Sequence, residues 1–188
     1  MDKRALVDQA RRGDRDAFAV LAKAAATRLD AAARLILRDR ELARDAVQEA
    51  LIRAWRDLPG LREPDRFDAW LHRLLVNAAI DEARRRQRRV IEVAIGELAI
   101  PSGEDALGRM ADRDALDQAL AGLSPEHRAL VVLHYYLGMP LPEVAATLSI
   151  PVGTVKSRLH RALGTMRIAI TDATDEPQRE TIAGGQLA

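Results

Sequence analysis

The 188-residue sequence contains no cysteine. That excludes a disulfide framework, a thiolate zinc site and a cysteine nucleophile, so the fold must rest on packing alone. Aromatic residues are scarce as well, with two each of Phe, Trp and Tyr. Because Ala, Leu and Arg recur throughout, this composition favours helices over strands. No stretch approaches the roughly 20 apolar residues that a membrane helix needs, and the start, Met1-Asp2-Lys3-Arg4, turns amphipathic. Membrane insertion is therefore not expected, and a cytoplasmic location is. His72, His127, His134 and His160 are scattered without a supporting Asp or Cys arrangement, and no convergent nucleophile and base stand out. The expectation is a chain without metal or cofactor that is not an enzyme.

What is present is a globular balance, 48% hydrophobic and 30% charged residues, with a formal net charge of only +1. So small a charge would argue against nucleic acid if it were spread evenly, but it is segregated along the chain. Between Val90 and Asp117, seven acids (Glu92, Glu97, Glu104, Asp105, Asp112, Asp114, Asp117) face only Arg109 and Arg113, a local −5. Between Val152 and Arg167 there is no acid, while Lys156, Arg158, Arg161 and Arg167 give +4.

Helical periodicity organises the rest. An opening helix to about Arg12 is stopped by Gly13, and Asp14 can cap the next, whose apolar positions are Phe18, Leu21, Ala25, Leu29, Ala32 and Ile36. A third helix, from about Arg40 to Leu58, spaces Leu42, Val47, Leu51 and Trp55 at helical intervals and stops at Pro59-Gly60. After a short loop, Asp65 can cap a long fourth helix with Phe67, Trp70, Leu71, Leu74 and Ala78 inward and Arg73, Asn77, Asp81 and Arg84 outward. It closes in Arg84-Arg85-Arg86-Gln87-Arg88-Arg89. Trp55 and Trp70 fall at inward phases, which assigns them to the core. The acidic stretch that follows, interrupted by Gly96, Pro101, Gly103 and Gly108, reads as a linker. Ser124-Pro125-Glu126 is a strong helix start, and that helix ends at Gly138. Two more helices follow, about Leu141 to Leu148 and about Val152 to Ile170, separated by Ser149-Ile150-Pro151. The expected architecture is all-α: a helical domain over 1–89, an acidic linker over 90–111, a second helical domain over 112–170 and a disordered polar tail over 171–188.

The final helix pair carries the chemistry. Two helices joined by a tight turn, the second rich in Lys and Arg, form the helix-turn-helix reader of the DNA major groove. In the second helix Val155, Leu159, Ala162 and Met166 share an inward face, leaving Gly153, Lys156, Ser157, His160 and Arg161 outward. Lys and Arg donate to guanine edges or to phosphate, and Ser serves either. An ordinary solvated helix face usually mixes both signs of charge. Gly153 fits close approach of backbone to phosphate, or simply a tolerated glycine at a helix start.

The stretch Ile150-Pro151-Val152-Gly153-Thr154-Val155-Lys156-Ser157-Arg158-Leu159-His160-Arg161-Ala162 resembles the carboxy-terminal promoter reader of extracytoplasmic-function sigma factors. Asp45-Ala46-Val47-Gln48-Glu49, Phe67-Asp68-Ala69-Trp70-Leu71 and Asn77 resemble that family's first domain. Together the two motif sets cover about residues 1 to 170. The resemblance implies a region 2 helical bundle and a region 4 helix-turn-helix that serve promoter-specific transcription initiation. It also implies that Asp45, Gln48, Glu49 and Arg53 dock on a coiled coil of the largest subunits of core RNA polymerase. The fourth helix and the loop before it, with Arg62, Arg66, Arg73, Asn77, Arg84, Arg85 and Arg88, engage the −10 element. Gly153, Thr154, Lys156, Ser157, Arg158, His160 and Arg161 read the −35 element. An anti-sigma factor is a further expected partner. The sequence departs from the family at Pro140-Leu141-Pro142, where a capping Ser or Thr is usual, so an N-cap hydrogen bond is lost there. A stand-alone helix-turn-helix regulator that binds duplex DNA without polymerase is the alternative; a helical adaptor would leave the basic final helix unexplained.

Overall fold

The computed structural model describes residues 2–94 and 111–183, and the described residues are helical, with no strand among them. The elements are α1 (Lys3–Arg11), α2 (Arg15–Leu37), α3 (Arg40–Asp57), two 3-10 turns (Leu58–Gly60 and Pro64–Arg66), α4 (Phe67–Ala94), α5 (Ala111–Ala121), α6 (Pro125–Val131), a π turn (Val132–Tyr136), α7 (Leu141–Leu148) and α8 (Val152–Ala183). Short polar side chains start α1, α2, α3 and α6. Asp14 accepts from the amides of Asp16 and Ala17 at 2.9 and 3.0 Å, Asp39 from those of Glu41 and Leu42 at 3.0 and 3.1 Å, and Ser124 from that of His127 at 3.3 Å. Each satisfies a donor that the helix itself leaves open. Gly13 at φ 95° turns the chain between α1 and α2, a conformation that side-chain-bearing residues rarely adopt.

Asp65 does not cap α4. Pro64 opens a 3-10 turn that takes in Asp65, and the carboxylate instead accepts from Arg4 of α1 at 2.9 Å. A second tie joins Lys3 of α1 to Asp68 in the first turn of α4.

The apolar positions of α2 are placed as its periodicity predicts, with Leu21, Leu29, Ala32 and Ile36 buried. In α3 the pattern differs from expectation. Its fully buried stripe is Ala43, Ala46, Ala50 and Ala54, while Leu42, Val47, Leu51 and Trp55 flank it half-buried. Small side chains let helix axes approach closely, so α3 seats its alanine edge between α2 and α4 and its larger residues spill onto the rim. Along α4, Phe67, Leu71, Leu75, Val76, Ala78, Ala79 and Ile80 are buried, with Trp70 and Leu74 half-buried against them.

The two helical units do not stand apart. One continuous apolar core runs from Leu6 in α1 to Leu159 in α8, because α2 and α4 pack against α6, the π turn and α7. A smaller cluster of Ala119, Leu120, Leu123, Ala162 and Met166 joins α5 to α8. Two boundaries move as well. The fourth helix runs past Arg89 to Ala94, and the final helix continues to Ala183, where a disordered tail was expected from Thr171. The extension runs through Pro177, which donates no backbone hydrogen bond to the helix. Most of the acidic linker lies outside the described residues.

Candidate nucleic-acid interface

The helix-turn-helix is built as follows. Leu141 to Leu148 form α7 without a side-chain cap: the carbonyl of Pro140 accepts the amides of Glu143 and Val144 at 2.9 and 3.0 Å, and Pro142 occupies the first turn. The missing cap hydrogen bond read from Pro140-Leu141-Pro142 is therefore a feature of the fold. Ser149 ends α7 in the left-handed conformation at φ 55°, and its amide and that of Ile150 return to the carbonyls of Ala146 and Ala145. This is the tight turn that swings α8 across α7.

In α8 the inward set is as expected: Val155, Leu159, Ala162 and Met166 are all buried. Gly153, Lys156, Ser157, His160 and Arg161 are exposed, and Thr154 and Arg158 are half-exposed beside them. A methyl group added at Gly153 would meet open space, so nothing within the chain demands glycine there. Ser157 Oγ donates to the carbonyl of Thr154 at 3.1 Å, and Arg161 Nε lies 3.4 Å from the carbonyl of Ser157. Among the described residues none of Lys156, Arg158, Arg161 and Arg167 has a carboxylate partner. Their charge is free to meet an external anion.

The arginines at the end of α4 are arranged differently. Arg84 faces Glu126 of α6 at 3.6 Å, Arg86 pairs with Asp39 at 2.9 Å, and Glu82 holds Arg85 and Arg89 at 3.3 and 2.8 Å. Only Arg88 of the run has no ion pair among the described residues. Arg62 and Arg66, ahead of α4, are exposed, Arg66 being paired to Glu63 at 2.9 Å; on α4 itself Arg73 is exposed and Asn77 half-buried.

The third group lies on α3. Asp45 and Gln48 are exposed, while Glu49 and Arg53 form an ion pair at 2.6 Å, with Asp81 of α4 3.7 Å from Arg53. Beside them opens an apolar groove of about 590 Å³, lined by Phe18 of α2 and by Val47, Gln48, Leu51, Ile52 and Trp55. Its rim carries Ile52 at 54% exposure, and Phe18 and Trp55 pack with their rings tilted by 56° and ring centres 5.1 Å apart. Periodicity assigned Trp55 wholly to the core and missed this groove. The available signal was Ile52, an apolar residue at an outward phase next to Gln48 and Glu49.

Among the described residues there is no cluster of His, Cys, Asp and Glu that could hold a metal, and no helix long and apolar enough to cross a membrane.

Comparison with known proteins gives a consistent result. Residues 21–89 match the family model described as Sigma-70 region 2, and residues 113–166 match Sigma-70, region 4. A curated relative, the ECF RNA polymerase sigma factor SigL of Mycobacterium tuberculosis, is 36% identical over 137 residues, covering 71% of this chain and 77% of its own. Among solved structures, CnrH in complex with the cytosolic domain of CnrY superposes with a TM-score of 0.64 at 30% identity, covering 91% of this chain and 97% of that one. The sigma factor RpoE in complex with the anti-sigma factor NepR from Bartonella quintana gives 0.62 at 26% identity, covering 76% and 89%.

Proposed function

The chain belongs to the extracytoplasmic-function group of the sigma-70 family, and from that premise we propose how its surfaces divide the work of promoter-specific initiation. The outward face of α8 reads the −35 element as duplex. Lys156 and Arg161 donate to base edges or phosphates, and Gly153, Thr154, Ser157, Arg158 and His160 complete the contact. The fourth helix and the loop before it, with Arg62, Arg66, Arg73, Asn77, Arg84, Arg85 and Arg88, engage the −10 element. The outer face of α3 docks on core RNA polymerase. Asp45, Gln48, Glu49 and Arg53 supply its polar contacts, and the groove at Phe18, Leu51, Ile52 and Trp55 receives apolar side chains from the polymerase. The observation that carries this reading is the one-sided Val152–Arg167 part of α8, with four cations, no acid and a buried apolar wall behind it.

Both structural neighbours were solved in complex with a second protein, CnrH with the cytosolic domain of CnrY and RpoE with the anti-sigma factor NepR. We extend that to this chain as a proposal: a helical inhibitory protein covers the α3 groove and the reading helices until a signal releases them. The proposed role is a binding one, in the cytoplasm where polymerase works, and it assigns no catalytic residue.

Transcription in vitro with purified core polymerase tests the division. Arg161→Ala should reduce initiation at −35-dependent promoters while leaving core binding intact. Ile52→Asp, which places a charge in the groove, should abolish core binding while duplex binding by α8 persists. If Ile52→Asp supports full promoter-specific transcription, the docking assignment is wrong even though the family is right.

A further inference from the structure

The turn that leads into α7 is closed in an uncommon way. Gly138, in the left-handed conformation at φ 74°, reverses the chain after the π turn. A helix that ends in such a residue is commonly closed by an amide reaching back about five residues to a carbonyl. Here the π turn widens the closure: the amide of Met139 donates to the carbonyl of Leu133 at 2.9 Å, and that of Leu137 to the carbonyl of Val132 at 2.9 Å. The carbonyl of Met139 then lies 2.8 Å from His134 Nδ1. A carbonyl only accepts, so the imidazole carries its proton on Nδ1 and donates. The same ring meets Tyr135 edge-on, with centres 4.7 Å apart.

Met139 stands two residues before the uncapped α7. Pro140, at the cap position, has no side-chain acceptor, and neither it nor Pro142 carries an amide hydrogen. A cap also fixes the angle at which the chain enters a helix, and here that task falls to Met139. Its amide is held by Leu133, its carbonyl by His134, and its side chain is buried. Val144, one turn into α7 and buried in the same core, completes the apolar pair that sets such an entry. Val144 and Ala145 belong to the buried side of α7, and α7 packs on α8, so the tilt of α7 decides where α8 stands.

We propose that His134 is a positioning residue for promoter reading: its bond to the Met139 carbonyl replaces the missing N-cap of α7, and through α7 it seats the outward face of α8. The proposal rests on the assignment of α8 to the −35 element. An eight-residue helix is too short to hold its own first turn, so that turn depends on what precedes it. Without the donor, the amides of Glu143 and Val144, which donate to the carbonyl of Pro140 at 2.9 and 3.0 Å, open more often. DNA affinity falls with the fraction of molecules in which α7 is fully formed.

His134→Phe keeps a ring beside Tyr135 and removes the donor, and amide hydrogen exchange on the full chain reads the result. Protection at Glu143 and Val144 should fall roughly fivefold, the size expected for one lost hydrogen bond or cap. The complex with core polymerase should bind a promoter duplex, selected with the parent protein, about two- to fivefold more weakly. Circular dichroism should show unchanged helix content. Pro140→Ser restores a cap acceptor, so adding it to His134→Phe should return both quantities to within about twofold of the parent. Pro140→Ala supplies no acceptor and should return neither. Unchanged exchange in His134→Phe would overturn the proposal, as would lost protection with promoter affinity intact, or a loss on which Pro140→Ser and Pro140→Ala act alike. If Arg161→Ala leaves promoter affinity unchanged, the assignment of α8 fails, and the exchange measurement still decides whether His134 holds the start of α7.

Discussion

Two basic regions of this molecule carry similar charge and handle it in opposite ways. At the end of α4, four of five arginines have an acid within reach, from Glu126, Glu82 or Asp39. On α8, Lys156, Arg158, Arg161 and Arg167 have none among the described residues, and the buried wall behind them contains nothing titratable. Arginines held by intramolecular carboxylates are preorganised but partly neutralised, which suits backbone contacts that tolerate exchange. Unpaired cations on a rigid helix suit directional contact to base edges, where a competing acid would erode discrimination.

The largest expected effect follows from this contrast. Arg161→Ala should cost about 1–3 kcal/mol of binding to a −35 duplex, concentrated at one base position, as measured by titrating single-substituted sites at fixed salt. Arg85→Ala should instead weaken binding evenly across sequences and lower the dependence on salt by about one counterion. Equal loss of sequence discrimination in both variants would erase the distinction between the two regions.

A smaller effect should come from Glu82→Gln, which frees Arg85 and Arg89 and makes the end of α4 resemble α8. Non-specific DNA binding should strengthen and its salt dependence steepen by about one to two counterions, with stability falling by at most about 1 kcal/mol. Unchanged non-specific binding would mean that the ion pairs of α4 do not restrain its arginines.

The smallest effect separates the regions by acid. The fourth helix buries His72, 8% exposed, and burial followed by Arg28 of α2 lowers its pKa from 6.5, against the pull of Asp68 on α4; Lys3 of α1 lowers it further. Above pH 6.5 the imidazole is neutral in both folded and unfolded chains and contributes no pH dependence. As pH falls below that value, the unfolded chain takes up a proton that the folded one resists, so stability declines, by at most about 1.4 kcal/mol per pH unit, until the lower folded pKa is passed. Urea denaturation at a series of pH values should show this slope in the parent and a flatter one in His72→Gln. The same slope in both would place the acid sensitivity elsewhere.

Much of the geometry of the candidate site on α8 was legible because local signals agreed there: a turn, an amphipathic period and one sign of charge, with Val155, Leu159, Ala162 and Met166 all buried. The caps at Asp14 and Ser124 were legible for the same reason, since a cap is decided within a few residues. What the sequence hid was decided between distant segments. The reading of α3 ranked side chains by size and chose Leu42, Val47, Leu51 and Trp55. Contact with α2 and α4 selected Ala43, Ala46, Ala50 and Ala54, because closeness of approach outweighed apolar area. Asp65 was diverted from its expected capping role by Arg4, 61 residues away in sequence. The shared core between the two units and the pairing of Arg84 with Glu126 follow from no periodicity at all.

The alanine stripe of α3 has a mechanical consequence. An interface made of methyl groups has no rotamers to rearrange, and it lacks the slack with which longer side chains absorb a displacement. A force applied to the outer face of α3 is therefore passed to α4 as rigid-body motion, with little lost to local repacking. Engagement of α3 would then tilt the helix that carries Arg73, Asn77 and Arg84, making α3 and α4 behave as one stiff lever with its two arms on different partners.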